Sequence, residues 1–207
     1  AKYFAIAKAN QLITFRALND TTFVAANFTI NATSSSGLVV SLAVTSGPCT
    51  LDSATSPANV HITGAGTCNI TGTQAGNSNY NSAPNVSRSF NISKANQTIS
   101  FNALPNKVFG DPNFSVSATG GGSGNPITFT ASGNCTVSGN TVHITGAGSC
   151  TVVAAQTGDA NYNPAADVSQ SFSIAKAPTT TTVSCPASLT YAGVALTPCS
   201  VTVTGAS

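Results

Sequence analysis

The sequence predicts an all-β chain of tandem β-sandwich units, and three observations carry that prediction. Val, Ile, Thr and Phe recur in short alternating runs separated by Gly, Ser and Asn turns, and nothing of helical period and useful length occurs. A long segment of the chain repeats itself. Six cysteines fall two to a unit.

The repeat is read first. Lys8-Ala9-Asn10-Gln11 returns as Lys94-Ala95-Asn96-Gln97, and Phe15, Phe23, Phe28 and Cys49 return as Phe101, Phe109, Phe114 and Cys135, all at an offset of 86. Further on, Val60-His61-Ile62-Thr63-Gly64-Ala65-Gly66 matches Val142-His143-Ile144-Thr145-Gly146-Ala147-Gly148 at an offset of 82. The first copy therefore holds four extra residues within Thr50–Asn59, and an insertion of that kind is expected at an exposed turn. The boundaries that follow are repeat 1 over 10–93, repeat 2 over 94–177, a closing strand of a preceding or neighbouring unit over 1–9, and the opening part of a third, divergent unit over 178–207.

In repeat 2 the extended segments are Gln97–Asn102, Lys107–Phe109, Phe114–Thr119, Ile127–Ser132, Cys135–Ser138, Thr141–Thr145, Cys150–Gln156 and Gln170–Lys176. Gly120-Gly121-Gly122-Ser123-Gly124, Ser138-Gly139-Asn140 and Gly146-Ala147-Gly148 supply turn chemistry between them. Ile99 with Phe101, Phe114 with Val116, and Phe172 with Ile174 each share one face. Phe90 and Ile92 are even-numbered and Ile99 and Phe101 odd, so the buried parity flips across Lys94-Ala95-Asn96. No Gly/Ser linker lies there, and adjoining units are expected to be stiffly coupled.

Six cysteines allow fifteen pairings, and the repeat selects one pair per unit: Cys49–Cys68, Cys135–Cys150 and Cys185–Cys199. In repeat 2 the strand from Cys135 runs out to the Ser138-Gly139-Asn140 turn, a second strand runs back, and Gly146-Ala147-Gly148 turns the chain into Cys150. Both sulfurs thus return to one end of the sandwich. The alternatives are buried reduced thiols or zinc ligands, and a zinc site wants closely spaced cysteines with converging His. A bridge of this loop size stabilises its unit by about 3 kcal/mol and implies an oxidising compartment.

The residues that could carry chemistry are few. Lys, Arg and Asp together make up 6% of the chain, there is no Glu, and the net charge is +2 with the cations spread singly, which excludes a phosphate-tracking basic stripe and nucleic acid as a partner. No run of eighteen apolar residues occurs, so no membrane span is expected, and Ala1–Asn10 lack the blocks of a signal peptide; an export signal is expected to have been removed or to lie upstream. Asp20, Asp52, Asp111, Asp159 and Asp167 fall singly in turns without a second carboxylate, so no general acid–base pair, catalytic residue, cofactor or metal site is expected. His61 and His143 occupy equivalent strand positions and read as dispensable. Asp159-Ala160-Asn161-Tyr162-Asn163 lacks the closing acid of a calcium loop and reads as a turn with its Tyr ring on the sandwich edge. Nine Asn-x-Ser/Thr sequons run from Asn19 to Asn134, as the composition alone would generate.

Lys94-Ala95-Asn96-Gln97-Thr98-Ile99-Ser100-Phe101, Gly146-Ala147-Gly148-Ser149-Cys150-Thr151-Val152 and Gly158-Asp159-Ala160-Asn161-Tyr162-Asn163 resemble the bacterial immunoglobulin-like tandem repeats of long cell-surface and secreted proteins. Thr179–Pro186 and Thr197-Pro198-Cys199 resemble the start of a related repeat. The resemblance implies tandem immunoglobulin-like sandwiches arranged as a rod, an extracellular or cell-surface location, and a stalk, adhesin or filament role with no enzymatic activity. Copies of the chain or further repeats are the expected partners, with Tyr3, Phe4 and Ile6 as the strand donated to complete a neighbouring unit. The alternative is a module binding surface carbohydrate, against which stand the absence of Trp and the single Tyr per repeat.

Overall fold

A computed structural model of the chain describes residues 4–188, 190, 193 and 199–205. The described chain is all-β and divides into two compact units, Ala1–Gln97 with Gly158–Pro164, and Thr98–Thr157 with Ala165–Ser207.

The first sandwich is built from β1 (Ile13–Phe15), β2 (Thr21–Thr22), β3 (Phe28–Ile30), β4 (Ala32–Ser34), β5 (Ser41–Ser46), β6 (Cys49–Leu51), β7 (Ala58–Ile62), β8 (Gly66–Thr73) and β9 (Val86–Ser93). One layer runs β1-β4 and, across Asn31, β3-β7-β6; the other runs β2-β9-β8-β5. All pairs are antiparallel except β2 with β9, which is parallel. Two layers of this strand order make an immunoglobulin-like sandwich. Alternation sets the core: Phe15, Ile30, Leu42, Val60, Ile70, Phe90 and Ile92 point inward and are buried, with the Phe28 and Phe90 rings edge to face at 5.4 Å.

The second sandwich repeats the plan with β10 (Ser100–Phe101), β11 (Lys107–Val108), β12 (Phe114–Ser115), β13 (Ala118–Thr119), β14 (Ile127–Gly133), β15 (Cys135–Ser138), β16 (Thr141–Ile144), β17 (Gly148–Gln156) and β18 (Val168–Ala175). Its layers are β10-β13 with β12-β16-β15, and β11-β18-β17-β14. Ile99, Phe101, Val116, Val142, Val152, Phe172 and Ile174 fill its core, with Phe114 and Phe172 at 5.6 Å.

Three details differ from the sequence reading. Phe114–Thr119 is two strands, because β12 pairs with β16 while β13 pairs with β10, so Val116 lies where the chain passes from one partner to the other. Gln97–Ile99 are outside strand β10, since the side chain of Gln97 and the backbone of Ala95 are engaged elsewhere, as described below. The insertion in Thr50–Asn59 carries exposed residues but does more than turn: Leu42 donates its N–H to Ala54 O at 2.8 Å, Ser56 donates to Val40 O at 3.0 Å, and Ser41 bridges Thr55. It lies against the outer edge of β5 at that strand's start.

Beyond the second sandwich, β19 (Thr179–Ser184) pairs antiparallel with β20 (Ser200–Gly205) as a two-stranded ribbon whose residues are all exposed.

Candidate functional site

Each sandwich is cross-linked between its layers. Cys49 opens β6 in one layer and Cys68 sits in β8 of the other, bridged with Cα atoms 6.0 Å apart; Cys135 on β15 and Cys150 on β17 repeat this at 5.6 Å. Cys185 and Cys199 join the two strands of the ribbon where they meet. Among the described residues no cysteine is free.

The other site built twice is a clamp on the Asn-Tyr-Asn loop. In Gly76–Asn81 the Asn77 side chain accepts from the N–H groups of Asn79 (2.8 Å) and Tyr80 (3.0 Å), and in Gly158–Asn163 Asp159 does the same for Asn161 (2.7 Å) and Tyr162 (2.8 Å). Gly is required at the head of the loop: a Cβ at Gly76 would lie 2.3 Å from Tyr80 O, and at Gly158 2.2 Å from Tyr162 O. The loop then meets the Lys-Ala-Asn-Gln segment. Ala9 donates to Asn79 O and accepts from Asn81, both at 2.8 Å, and Ala95 does so with Asn161 and Asn163, both at 2.9 Å. Gln11 donates to Asn81 O at 2.7 Å and Gln97 to Asn163 O at 2.9 Å, which allows these two amides to lie 2% and 8% exposed at little cost. Asn10 and Asn96 accept from Asn81 and Asn163 at 2.9 and 2.8 Å.

The recurrence of Lys-Ala-Asn-Gln and of Asn-Tyr-Asn was visible in the sequence, but their meeting was not, because some seventy residues separate the hydrogen-bonded partners. The calcium-like Asp159 is accounted for as a cap on backbone N–H groups. Among the described residues no three His, Cys, Asp or Glu cluster as metal ligands.

Asp20, Asp52, His61 and His143 each make a local contact. Asp20 accepts from Asn91 N–H at 2.7 Å, a place taken in the second sandwich by Asn106 with Ser173 at 2.9 Å. His61 Nδ1 accepts from the Asn27 amide at 2.8 Å, and His143 Nδ1 donates to Asn113 at 2.7 Å. Asp52, in the insertion, accepts from Asn59 N–H and from its side chain, both at 2.7 Å; the backbone hydrogen bond is the main cause holding its carboxyl below the usual carboxylate range. A cleft of about 760 Å³ opens beside β1 and β3, lined by Arg16, Asp20, Phe28 and Asn31 among others, but Phe15 beneath it is buried and Phe28 half-buried, so it offers no exposed ring for a sugar to stack on.

Of the residues expected to donate a strand, Tyr3 lies outside the described residues, and Phe4 and Ile6 are 92% and 95% exposed in a segment that joins no sheet of its own chain. The described hairpin face carrying Val183, Val201 and Val203 is likewise uncovered.

The fold and these sites define a chain of tandem immunoglobulin-like β-sandwiches with layer-to-layer disulfides. No family model matches the chain, and no curated protein does. Among solved structures it is similar to the D00–D0 domain of intimin (14% identity, 77% of this chain and 98% of that one, TM-score 0.32). It is also similar to Clostridium thermocellum CbhA fibronectin(III)-like modules (11%, 80% and 95%, TM-score 0.31). Against Drosophila N-cadherin EC1-4 the identity is 10% and the TM-score 0.31, over 79% of this chain and half of that one. The strand order is itself that of an immunoglobulin-like sandwich.

Proposed function

We propose that the chain is an extracellular structural protein of bacterial type, a surface stalk or filament of stacked immunoglobulin-like sandwiches, and not an enzyme. The observation that carries this reading is the pairing of a repeated, internally cross-linked sandwich with uncovered apolar strand surfaces. Three disulfides call for an oxidising compartment. An isolated two-stranded ribbon is marginal in water, and the Val183-Val201-Val203 face needs a cover. Phe4 and Ile6 are apolar, exposed and outside any sheet of their own chain, and strand addition from one copy to the next would bury both surfaces. A head-to-tail contact of that kind builds a fibre when its rotation does not close a ring.

The test is electron microscopy of the native material together with sedimentation of the 207-residue chain with and without residues 1–9. Rods or fibres, and assembly lost on the deletion, support the reading. A compact monomer whose hydrodynamics ignore the deletion contradicts it.

A further inference from the structure

We infer that the Tyr80 loop is a docking face for the Phe109 and Gly146-Ala147 face of another copy of this chain. The geometry comes from a contact inside the first compact unit. There the Tyr162 ring meets Phe23 edge to face, centroids 5.5 Å apart and planes at 87°, and Asn161 Oδ1 accepts from Ala65 N–H at 2.9 Å. A Cβ on Gly64 would come within 3.1 Å of that same Asn161 oxygen, so the turn is shaped to let the loop approach.

Both halves of this contact are present a second time. Tyr80 and Asn79 stand where Tyr162 and Asn161 stand, on a loop capped by Asn77 in the place of Asp159 and held by the equivalent Ala bridge and Gln clamp. Phe109 and Gly146-Ala147 stand where Phe23 and Gly64-Ala65 stand. Among the described residues the second set is the more open. Asn79 is exposed where Asn161 is half-buried, Gly146 is half-buried where Gly64 is buried, and a Cβ on Gly146 would find nothing closer than Asn134 at 3.7 Å. Among the described residues one chain thus carries a second such loop and a second such receptor, with Asn134 in the place of Pro48, and a second copy satisfies both.

The inference rests on the stalk reading only in taking the partner to be a copy of the chain, and it does not use residues 1–9. Amide spectra of the full chain, followed by NMR as its concentration rises to about 1 mM, where weak contacts populate, test it. Shifts are expected at Asn79–Asn81, Phe109 and Gly146–Gly148. Tyr80→Ala should weaken the association roughly threefold to tenfold, the worth of an edge-to-face pair, while Tyr80→Phe keeps it. Asn79→Ala, at an exposed position, should weaken it without disturbing the strand amides. Absence of shifts, or shifts that both Ala variants leave unchanged, overturns the docking. Shifts confined to Phe4–Ala7 and the β19–β20 ribbon overturn it too while upholding strand donation, so the two ideas fail separately.

Discussion

The outer edges of β5 and β14 are the same strand in two copies of one sandwich, yet among the described residues one is covered at its start and the other open. At the start of β5, Ala54 and Ser56 of the insertion hydrogen-bond to Leu42 and Val40 and cover that end of the edge. The second copy has no such segment, and β14 (Ile127–Gly133) ends its four-stranded layer with seven residues that carry no charge. An open, uncharged edge is a template for another strand. Four residues inserted in a turn therefore change what one side of a sandwich can bind.

The copies also differ in register beneath a constant spacing. Leu42 faces Gly72 across β5 and β8, and Phe129 faces Ala154 across β14 and β17, so Phe129 replaces Leu42 although the offset of 86 points to Thr128. A bulge between Val44 and Ser46 in the first copy restores the spacing before the cysteines.

The largest expected effect tests what the edges share. Gly47 and Gly133 turn the chain off β5 and β14 with φ of +100° and +88°, and a Cβ would lie 2.0 Å from Thr67 O and 2.4 Å from Ser149 O. Alanine at either should cost more than about 3 kcal/mol in denaturant unfolding, whereas alanine at Gly37 or Gly139, with positive φ and open space, should cost about 1 kcal/mol. Next come the bridges. Replacing Cys49 and Cys68, or Cys135 and Cys150, by Ser should each remove about 3 kcal/mol, nearly equal because the loops close 19 and 15 residues; a large inequality in the two melting shifts would show that the copies use their bridges differently.

Two smaller effects address the edges themselves. Lys at the exposed Thr128 and Thr130 of β14 should suppress concentration-dependent light scattering, and Lys at the exposed Ser41 of the covered β5 should change it far less. Asp52 belongs to the cover alone. Its folded carboxyl titrates below the unfolded value of about 3.9, so its contribution is full above that value and is lost as pH falls through the lowered folded one. The melting difference between the parent and Asp52→Asn should therefore be constant near neutrality and shrink in acid. The smallest effect is expected from His61→Thr with His143→Thr, whose ring contacts are exposed; melting should shift by less than about 0.5 kcal/mol per site.

Sequence reading reached the sandwiches because alternation and repetition are local signals: Ile99 and Phe101, Phe90 and Ile92 are buried on the parities the pattern assigned. It missed what depends on distant partners. The break of Phe114–Thr119 follows from β16 and β10 claiming its two halves, and the parallel pairing of β11 with β18 joins residues some sixty-seven apart. The Gln11 and Gln97 clamps were spelled twice in the chain, but a buried Gln looks like a solvated one until the loop that takes its hydrogen bond is placed. The insertion looked like a turn for a related reason: its Asp52–Asn59 and Ser53–Thr55 hydrogen bonds are those of a turn, while the bonds of Ala54 and Ser56 go to distant Leu42 and Val40.

That each sandwich of the chain is cross-linked within itself is tested most directly by stretching single 207-residue molecules with and without a reductant. The bridges hide 19 residues of the first sandwich and 15 of the second. At about 3.4 Å per extended residue, reduction should lengthen one unfolding step by about 60 Å and a second by about 50 Å. A single step, steps indifferent to reductant, or a gain of several hundred ångströms from a bridge between the two repeats would contradict it.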